Sequence, residues 1–465
     1  MKPDPNGQPT ILEALAGHAI RLDLRSVPAA ALDRAKLCIL DLLGCLLAGA
    51  DSEPARRVAD LVVRQGGRAE ATVVGLAGRV PAQSAALANG VAAHALELDD
   101  AHRFATGLHP GATVIPAALA VAEAEEASGE DLLAAVLVGY DVAGRIGAAL
   151  NPSHRYRGFH STGTIGPFGA AAVASRLLRL DARRATAALS LVASQGSGIF
   201  EFLADSSAVK LLHAGWAAEK GVQAALLAQA GLAGPPSALE GREGFARAYA
   251  QEFSLEEVAR GLGSSFEVER VYFKLHAACG HTFSAIDAAL ALRAELGGFG
   301  EADLGQELAR VRSIRVSSYR AAAVLANRWP STEAQARFSI PYCVAAALVL
   351  GNAGLEAFGT EARRSPDIRR ISEVTEVVED PAITAAFPAR RTALVEMVLG
   401  DGRRLEKAVD HPRGTPENPV SESELVEKFH LLAAPRLDPA RRRSLIERVR
   451  ALEKLPSVAG LAAGG

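Results

Sequence analysis

ATVIPAALAVAEAEEASGEDLLAAVLVGYDVAGRIGAA, residues Ala112–Ala149, decides the fold. Its two halves are apolar at nearly every position, and Gly129 between them is a stop signal. The stretch predicts two helices, over 112–127 and 131–149. Helices apolar on all sides are buried, so this pair belongs at the centre of a bundle. The same texture extends outward over 31–48, 81–96, 163–178, 183–192 and 210–230. Aromatic residues make up 5% of the chain, so the core must be built from Ala, Leu, Val and Ile. Such small side chains allow helices to pack closely.

The texture changes after Phe266. Residues 312–319 nearly alternate between polar and apolar, which predicts a half-buried strand. Residues 392–399 and 403–409 flank Gly400-Asp401-Gly402 and read as a hairpin. A further strand is expected at 371–378, with helices over 281–296 and 333–350. These pieces describe an α+β domain with a small antiparallel sheet. Residues 411–421 are rich in Pro, Gly and Asn and mark a linker. Residues 422–455 return to charged amphipathic helix, and 459–465 read as a frayed tail. The expectation is a mainly α protein. Residues 1–268 and 412–465 form the helical domain, and 269–411 form a smaller inserted α+β domain.

The length supports this division, because 465 residues exceed the roughly 250–300 at which single cores stop growing. A hydrophobic fraction of 49% suits a large core and excludes a disordered chain. The net charge of -3 and the shortness of the basic runs Arg441–Arg443 and Arg363–Arg364 argue against a nucleic-acid partner. No stretch of about 20 uninterrupted apolar residues suggests a membrane span. Residues 1–24 do not resemble a secretory signal. Cys38, Cys45, Cys279 and Cys343 form no Cys-x-x-Cys pair, which fits reduced thiols and a cytoplasmic location.

Four polar segments interrupt the apolar helices. The first runs from Glu97 to Gly111 and holds Asp99, Asp100, His102, Arg103 and His109. Pro110 restarts a helix there, and free N–H groups at a helix start attract carboxylate or phosphate. His109 is expected to face an anion held at that point. The second segment is His160-Ser161-Thr162-Gly163-Thr164, which reads equally well as a helix cap. The third is Lys210 with His213, a candidate buried cation in an apolar run. The fourth contains Lys274, His276, Cys279 and His281. Metal ligation there would need a geometry that a loop need not supply, and a nucleophilic Cys279 would need an adjacent base. Histidine-bearing loops and two lysines without a redox motif point to proton transfer on an anion.

Taken together, the chain resembles the MmgE/PrpD family from about Ala31 to Phe429. The resemblance rests on Ile39–Gly44, His94–Gly111, Phe159–Thr164, Lys210–Gly215, Leu239-Glu240-Gly241 and Phe273-Lys274. Ala336–Ser339 and Pro341-Tyr342 also match. It implies a helical domain made by both chain ends, an inserted lid and a homodimer. It also implies a lyase or isomerase acting beside a carboxylate of a small di- or tricarboxylate, with no metal or organic cofactor. The implied catalytic residues are His109, His160, Lys210, Lys274 and Glu97. Asp100, Arg103, Ser161, Thr162, His213, Cys279 and His281 are expected to bind substrate. Dehydration of a 2-methylcitrate-like acid is the first expectation. Iminodisuccinate-type epimerisation and cis-aconitate-type decarboxylation are alternatives, as is a non-catalytic carboxylate-binding role. Compared with the decarboxylase branch, Glu97 stands for Asp, Ala101 for Thr, Leu325 for Tyr and Cys279 for His.

Overall fold

A computed structural model describes residues 9–76, 78–205, 207–297 and 301–462. Ala112–Ala149 falls into two helices as expected, here within α3 (Pro110–Ala124) and α4 (Gly129–Leu150). Ser128 caps α4 by accepting from the Asp131 N–H. Around this pair lie α1 (Ala29–Gly49), α2 (Ala82–His94), α5 (Gly166–Leu177), α6 (Ala182–Ala193) and α7 (Val209–Gln229). Helix α7 packs on α2 and α5, and α5 packs on α4. The fold is mainly α with a small strand component.

Among the described residues, α4 is the one helix long and apolar enough to cross a membrane, yet it is almost wholly buried inside the protein. Its charged residues are committed to neighbours. Asp141 lies 2.9 Å from His18 Nε2 and accepts from the Glu267 N–H. Arg145 donates to carbonyls of Arg260 and Ser265.

Two large hydrophobic cores stand out among the described residues. The first takes side chains from residues 12–273 and again from 420–462, so both ends of the chain share it. The second is built mainly from residues 272–399. It contains α8 (Phe283–Leu296), α9 (Ile340–Leu350) and a four-stranded sheet. The strands are β3 (Val311–Ser318), β4 (Thr375–Glu379), β5 (Ala393–Leu399) and β6 (Arg404–Val409), in the order β4-β3-β5-β6. A separate short ladder joins β1 (Ala101–His102) to β2 (Val271–Tyr272).

Several local expectations are corrected. The sheet is mixed, because β4 runs parallel to β3. The long helical connection between them permits that crossover. The strand expected from residue 371 begins at Thr375, since helix Pro366–Glu373, capped by Ser365, takes the preceding residues. The helix expected over 333–350 is two helices. Ser339 accepts from the Tyr342 N–H at 3.0 Å and starts α9 afresh, with Pro341 in its first turn. The C-terminal helix is likewise split into α10 (Glu422–Ala433) and α11 (Pro439–Arg450), the latter capped by Asp438. The tail is docked as far as it is described. Leu461 is buried and the Val458 N–H donates to the Ala127 carbonyl; residues 463–465 lie outside the described residues, as do residues 1–8 of the N-terminal stretch.

The segment read as a linker, 411–421, is a clasp. The Phe273 N–H donates to the Gly414 carbonyl at 3.1 Å. Gly414 has φ +100°, and a Cβ there would stand 2.1 Å from the Phe273 carbonyl oxygen. The clasp therefore needs glycine and fixes the main chain beside Lys274.

Candidate active site

Five stretches of chain deliver the polar groups to one place: two helices, the loop from Glu97 to His109, the turn at His160 and the segment at Lys274. Helix α2 ends at His94, α7 begins with Lys210 and carries His213 one turn on, and β2 leads into Lys274. The two helices approach through glycine. A Cβ on Gly90 would lie 2.8 Å from the Gly215 Cα, so no larger residue fits without separating them. Between α2 and α3 the loop turns at Glu97, whose φ of 55° lies in the left-handed region that non-glycine residues avoid.

The centre is a buried chain of charge and imidazole. Glu97 bridges two ammonium groups, hydrogen-bonding Lys210 through Oε1 and Lys274 through Oε2, the latter at 3.1 Å. Lys210 Nζ lies 2.8 Å from His94 Nε2. On the other side of that ring, His94 Nδ1 lies 2.8 Å from Asp99 Oδ2. The same oxygen is 3.2 Å from His109 Nδ1, which also lies 2.9 Å from the Asp100 carbonyl. A carbonyl only accepts, so His109 carries its proton on Nδ1 and leaves Nε2 free to receive one. His160 Nδ1 meets His213 Nδ1 at 2.9 Å, and the His109 and His160 ring centroids are 6.2 Å apart.

Burial governs the protonation of this cluster. It drives His109 down to about 3 and His213 to about 4, and holds His160 well below the ordinary histidine value. The neighbouring lysine ammonium groups push the same way. These rings are therefore neutral near pH 7. Burial opposes charge on Glu97 and Asp99 too, but the surrounding Lys210, Lys274 and histidines overcome it and hold both carboxyls low. Lys210 and Lys274 share Glu97 yet shift in opposite directions. Burial and the adjacent Lys274 lower Lys210, whereas Glu97 and Asp99 together overcome burial and raise Lys274.

The remaining residues singled out from sequence fall into different places. Thr162 accepts from the His109 N–H at 3.1 Å and donates to the Gly107 carbonyl at 2.8 Å, so it positions His109. Ser161 is turned to the Thr106 carbonyl and His154 and braces the loop. His281 Nδ1 meets the Tyr319 hydroxyl at 2.9 Å. Burial raises the Cys279 thiol, which disfavours a thiolate nucleophile. Arg103 has no hydrogen bond to His109 or His160 among the described residues and turns to other partners. Its guanidinium donates to the Pro388 and Ala389 carbonyls and to Glu417, tying residue 103 to the α+β region.

The start of α3 also differs from expectation. Asp100 Oδ1 accepts from the Gly111 N–H at 2.9 Å, and Oδ2 accepts from the Tyr140 hydroxyl at 2.6 Å. An internal carboxyl thus fills the place proposed for an outside anion. His94 and Asp99 were not singled out as site residues. Their signal was a lone histidine closing an Ala-rich helix and a third acid between Glu97 and Asp100.

Among the described residues, His94, His109 and His160 are the group able to approach a metal ion, with ligand nitrogens within 4.8 Å of one another. His94 Nε2 already faces the Lys210 ammonium, which competes with a cation for that nitrogen. An open cavity of about 540 Å³ reaches Glu97 and Lys210 and is also lined by Phe202, Arg337 and Phe338.

The arrangement defines a helical protein with a second α+β core and a buried lysine–histidine–carboxylate cluster suited to proton transfer. The MmgE/PrpD N-terminal domain model matches residues 13–258, and the C-terminal domain model matches residues 276–454. The chain belongs to the MmgE/PrpD family. It is 28% identical to a cis-aconitate decarboxylase-like protein, oryM, of Aspergillus oryzae, over 99% of this chain and 98% of that protein. It is 29% identical to the cis-aconitate decarboxylase of Mus musculus, over 96% of this chain and 91% of that one. The Homo sapiens cis-aconitate decarboxylase is 30% identical, over 91% and 88% of the two chains.

Proposed function

We propose that this protein is a lyase that moves a proton at a carbon beside a carboxylate of a small tricarboxylate. The observation that carries the reading is the buried cluster itself: neutral His109 and His160 stand beside two lysine ammonium groups. In this reading the lysines attract a substrate carboxylate and favour enolate-like charge as it develops. In dehydration or epimerisation His109 accepts the proton at Nε2; in decarboxylation no proton is abstracted, and the carbanion left by carbon dioxide takes up one proton, delivered from solvent through the His109 or His160 ring. His160, coupled to His213, returns or relays it. Glu97 is held ionised between the lysines, which makes it a weak base and a strong organiser. Asp99 keeps the His94 and His109 rings in place.

The names of the relatives support loss of carbon dioxide from a cis-aconitate-like acid. Dehydration of a 2-methylcitrate-like acid is the second reading. Ala101 and Leu325 weigh against the first reading, because both are apolar, buried residues at positions where the decarboxylase branch carries hydroxyls. A homodimer is also proposed from the family resemblance, and light scattering on the purified protein would test it.

The functional test is NMR in deuterated water with cis-aconitate, 2-methylcitrate and iminodisuccinate. A decarboxylated alkene supports the first reading, and a new alkene with all carboxylates retained supports the second. Deuterium incorporation without net loss would instead show an epimerase. Tight binding with neither turnover nor exchange would overturn the lyase reading in favour of a carboxylate-binding protein.

A further inference from the structure

The charges in the central cluster balance among themselves. Lys210 and Lys274 face Glu97 and Asp99. Two guanidinium groups outside that cluster are not balanced. Arg391 is 3% exposed and lies just before β5. Its main chain is pinned, since its N–H donates to the Asp410 carbonyl and its carbonyl accepts from Ser284. Its Nε and Nη1 have no hydrogen-bond partner. The guanidinium carbon sits 4.9 Å from the Tyr272 ring centroid and 5.9 Å from that of Phe387. Arg155 is half-buried, stacks on Phe200 at 3.5 Å and leaves Nε unpartnered. Among the described residues neither arginine makes an ion pair with a carboxylate.

The Phe387 ring beside Arg391 lies 6.3 Å from that of His281, and the Phe200 ring under Arg155 lies 5.0 Å from that of His160. These rings link the two arginines to His281 and to the histidine cluster. Near them stand a neutral thiol, two tyrosines and a neutral imidazole, and none of these supplies a negative charge. A buried cation without a counter-charge is costly, and guanidinium is shaped to receive a carboxylate through paired N–H donors.

We propose that Arg391 and Arg155 hold a second carboxylate group of the substrate at the Cys279–His281 turn, so that the site selects polycarboxylates over monocarboxylates. The inference rests on the reading of the cluster as a carboxylate-processing site. It also accounts for where the substrate's extra charge goes, since Glu97 already neutralises much of the lysine pair.

The test is calorimetric titration of tricarballylate and, separately, crotonate into the full-length protein and into Arg391→Gln, Arg391→Lys and Arg155→Gln. The Kd for tricarballylate should rise about 10- to 100-fold in Arg391→Gln, the size expected for a lost charge-assisted bond. It should rise less in Arg155→Gln and be partly restored in Arg391→Lys. Crotonate affinity should change little. The melting temperature of ligand-free Arg391→Gln should hold or rise, whereas a purely structural arginine would lower it. If Arg391→Gln fails to fold, Arg391→Lys and Arg155→Gln carry the test. An unchanged tricarballylate Kd across the variants would overturn the subsite, as would failure of the wild-type protein to bind tricarballylate at millimolar concentration. The two readings fail separately. Arginine-dependent binding without turnover or proton exchange would remove the lyase and keep the subsite. Turnover with an unchanged KM in the arginine variants would do the reverse.

Discussion

Asp99 touches both His94 and His109, and through His94 it reaches Lys210. One carboxylate therefore sets the orientation of two rings. Asp99→Asn is expected to lower kcat by about 10²- to 10⁴-fold, the range of a lost acid–base contribution, while KM changes little. Steady-state kinetics on a variant with unchanged circular dichroism would check this. Asp100 behaves differently. Burial pushes its carboxyl up to about 7, whereas an unfolded Asp titrates near 3.9. Between about pH 4 and pH 7 the folded protein thus keeps a proton that the unfolded chain has released. The Asp100 contribution to stability therefore falls as pH rises through that window, against the rise that the depressed His109, His160 and His213 give over the same range. Relative to Asp100→Asn, the wild-type urea midpoint should drop between about pH 5 and about pH 8. A variant that kept the wild-type slope would place the titration elsewhere. At this scale the sequence was informative about residue types and less so about roles. Asp100 and Arg103 were legible as unusual, but their side chains are spent on Gly111, Tyr140 and Glu417. Long-range partners of this kind leave no local pattern.

At the scale of elements, the site depends on how closely helices meet and on what braces the loop between them. Lys428 on α10 lies 2.7 Å from Asp41 on α1 and donates to the Leu98 carbonyl at 2.7 Å. The C-terminal return therefore holds the loop that carries Glu97 and Asp99. Lys428→Met would strand the buried Asp41 carboxylate and should cost about 3–5 kcal/mol, read by chemical denaturation. Gly90→Ala should cost about 1–3 kcal/mol through overpacking against Gly215 and should raise KM by displacing Lys210. The helices that deliver these residues were readable because apolar residues dominate 112–122 and 132–149, on either side of the polar turn 123–131, and recur along 210–230. The breaks at Ser339 and Asp438 were harder to read, since a capping side chain can restart a helix inside a continuous apolar pattern. The parallel pairing of β4 with β3 depends on a distant connection, and no spacing within either strand announces it.

Across the whole molecule, the first core draws on residues 12–273 and 420–462, and the 411–421 clasp grips the chain at Phe273, where the first core gives way to the second. The strands and helices of the second core were legible from the change in texture after Phe266. His94 and Asp99 escaped as site residues because each is ordinary in its own segment and acquires meaning when α2, α7 and the Glu97–Gly111 loop converge. The central claim is that this convergence makes His109 the group that moves a proton beside a substrate carboxylate. The most direct test is the rate of deuterium entry or turnover, followed by NMR in deuterated water, for wild-type protein and a folded His109→Ala variant on the best acid of the panel. The rate is expected to fall by at least about 10²-fold, with tricarballylate binding retained. A folded His109→Ala protein that exchanges or turns over at near the wild-type rate would contradict the account.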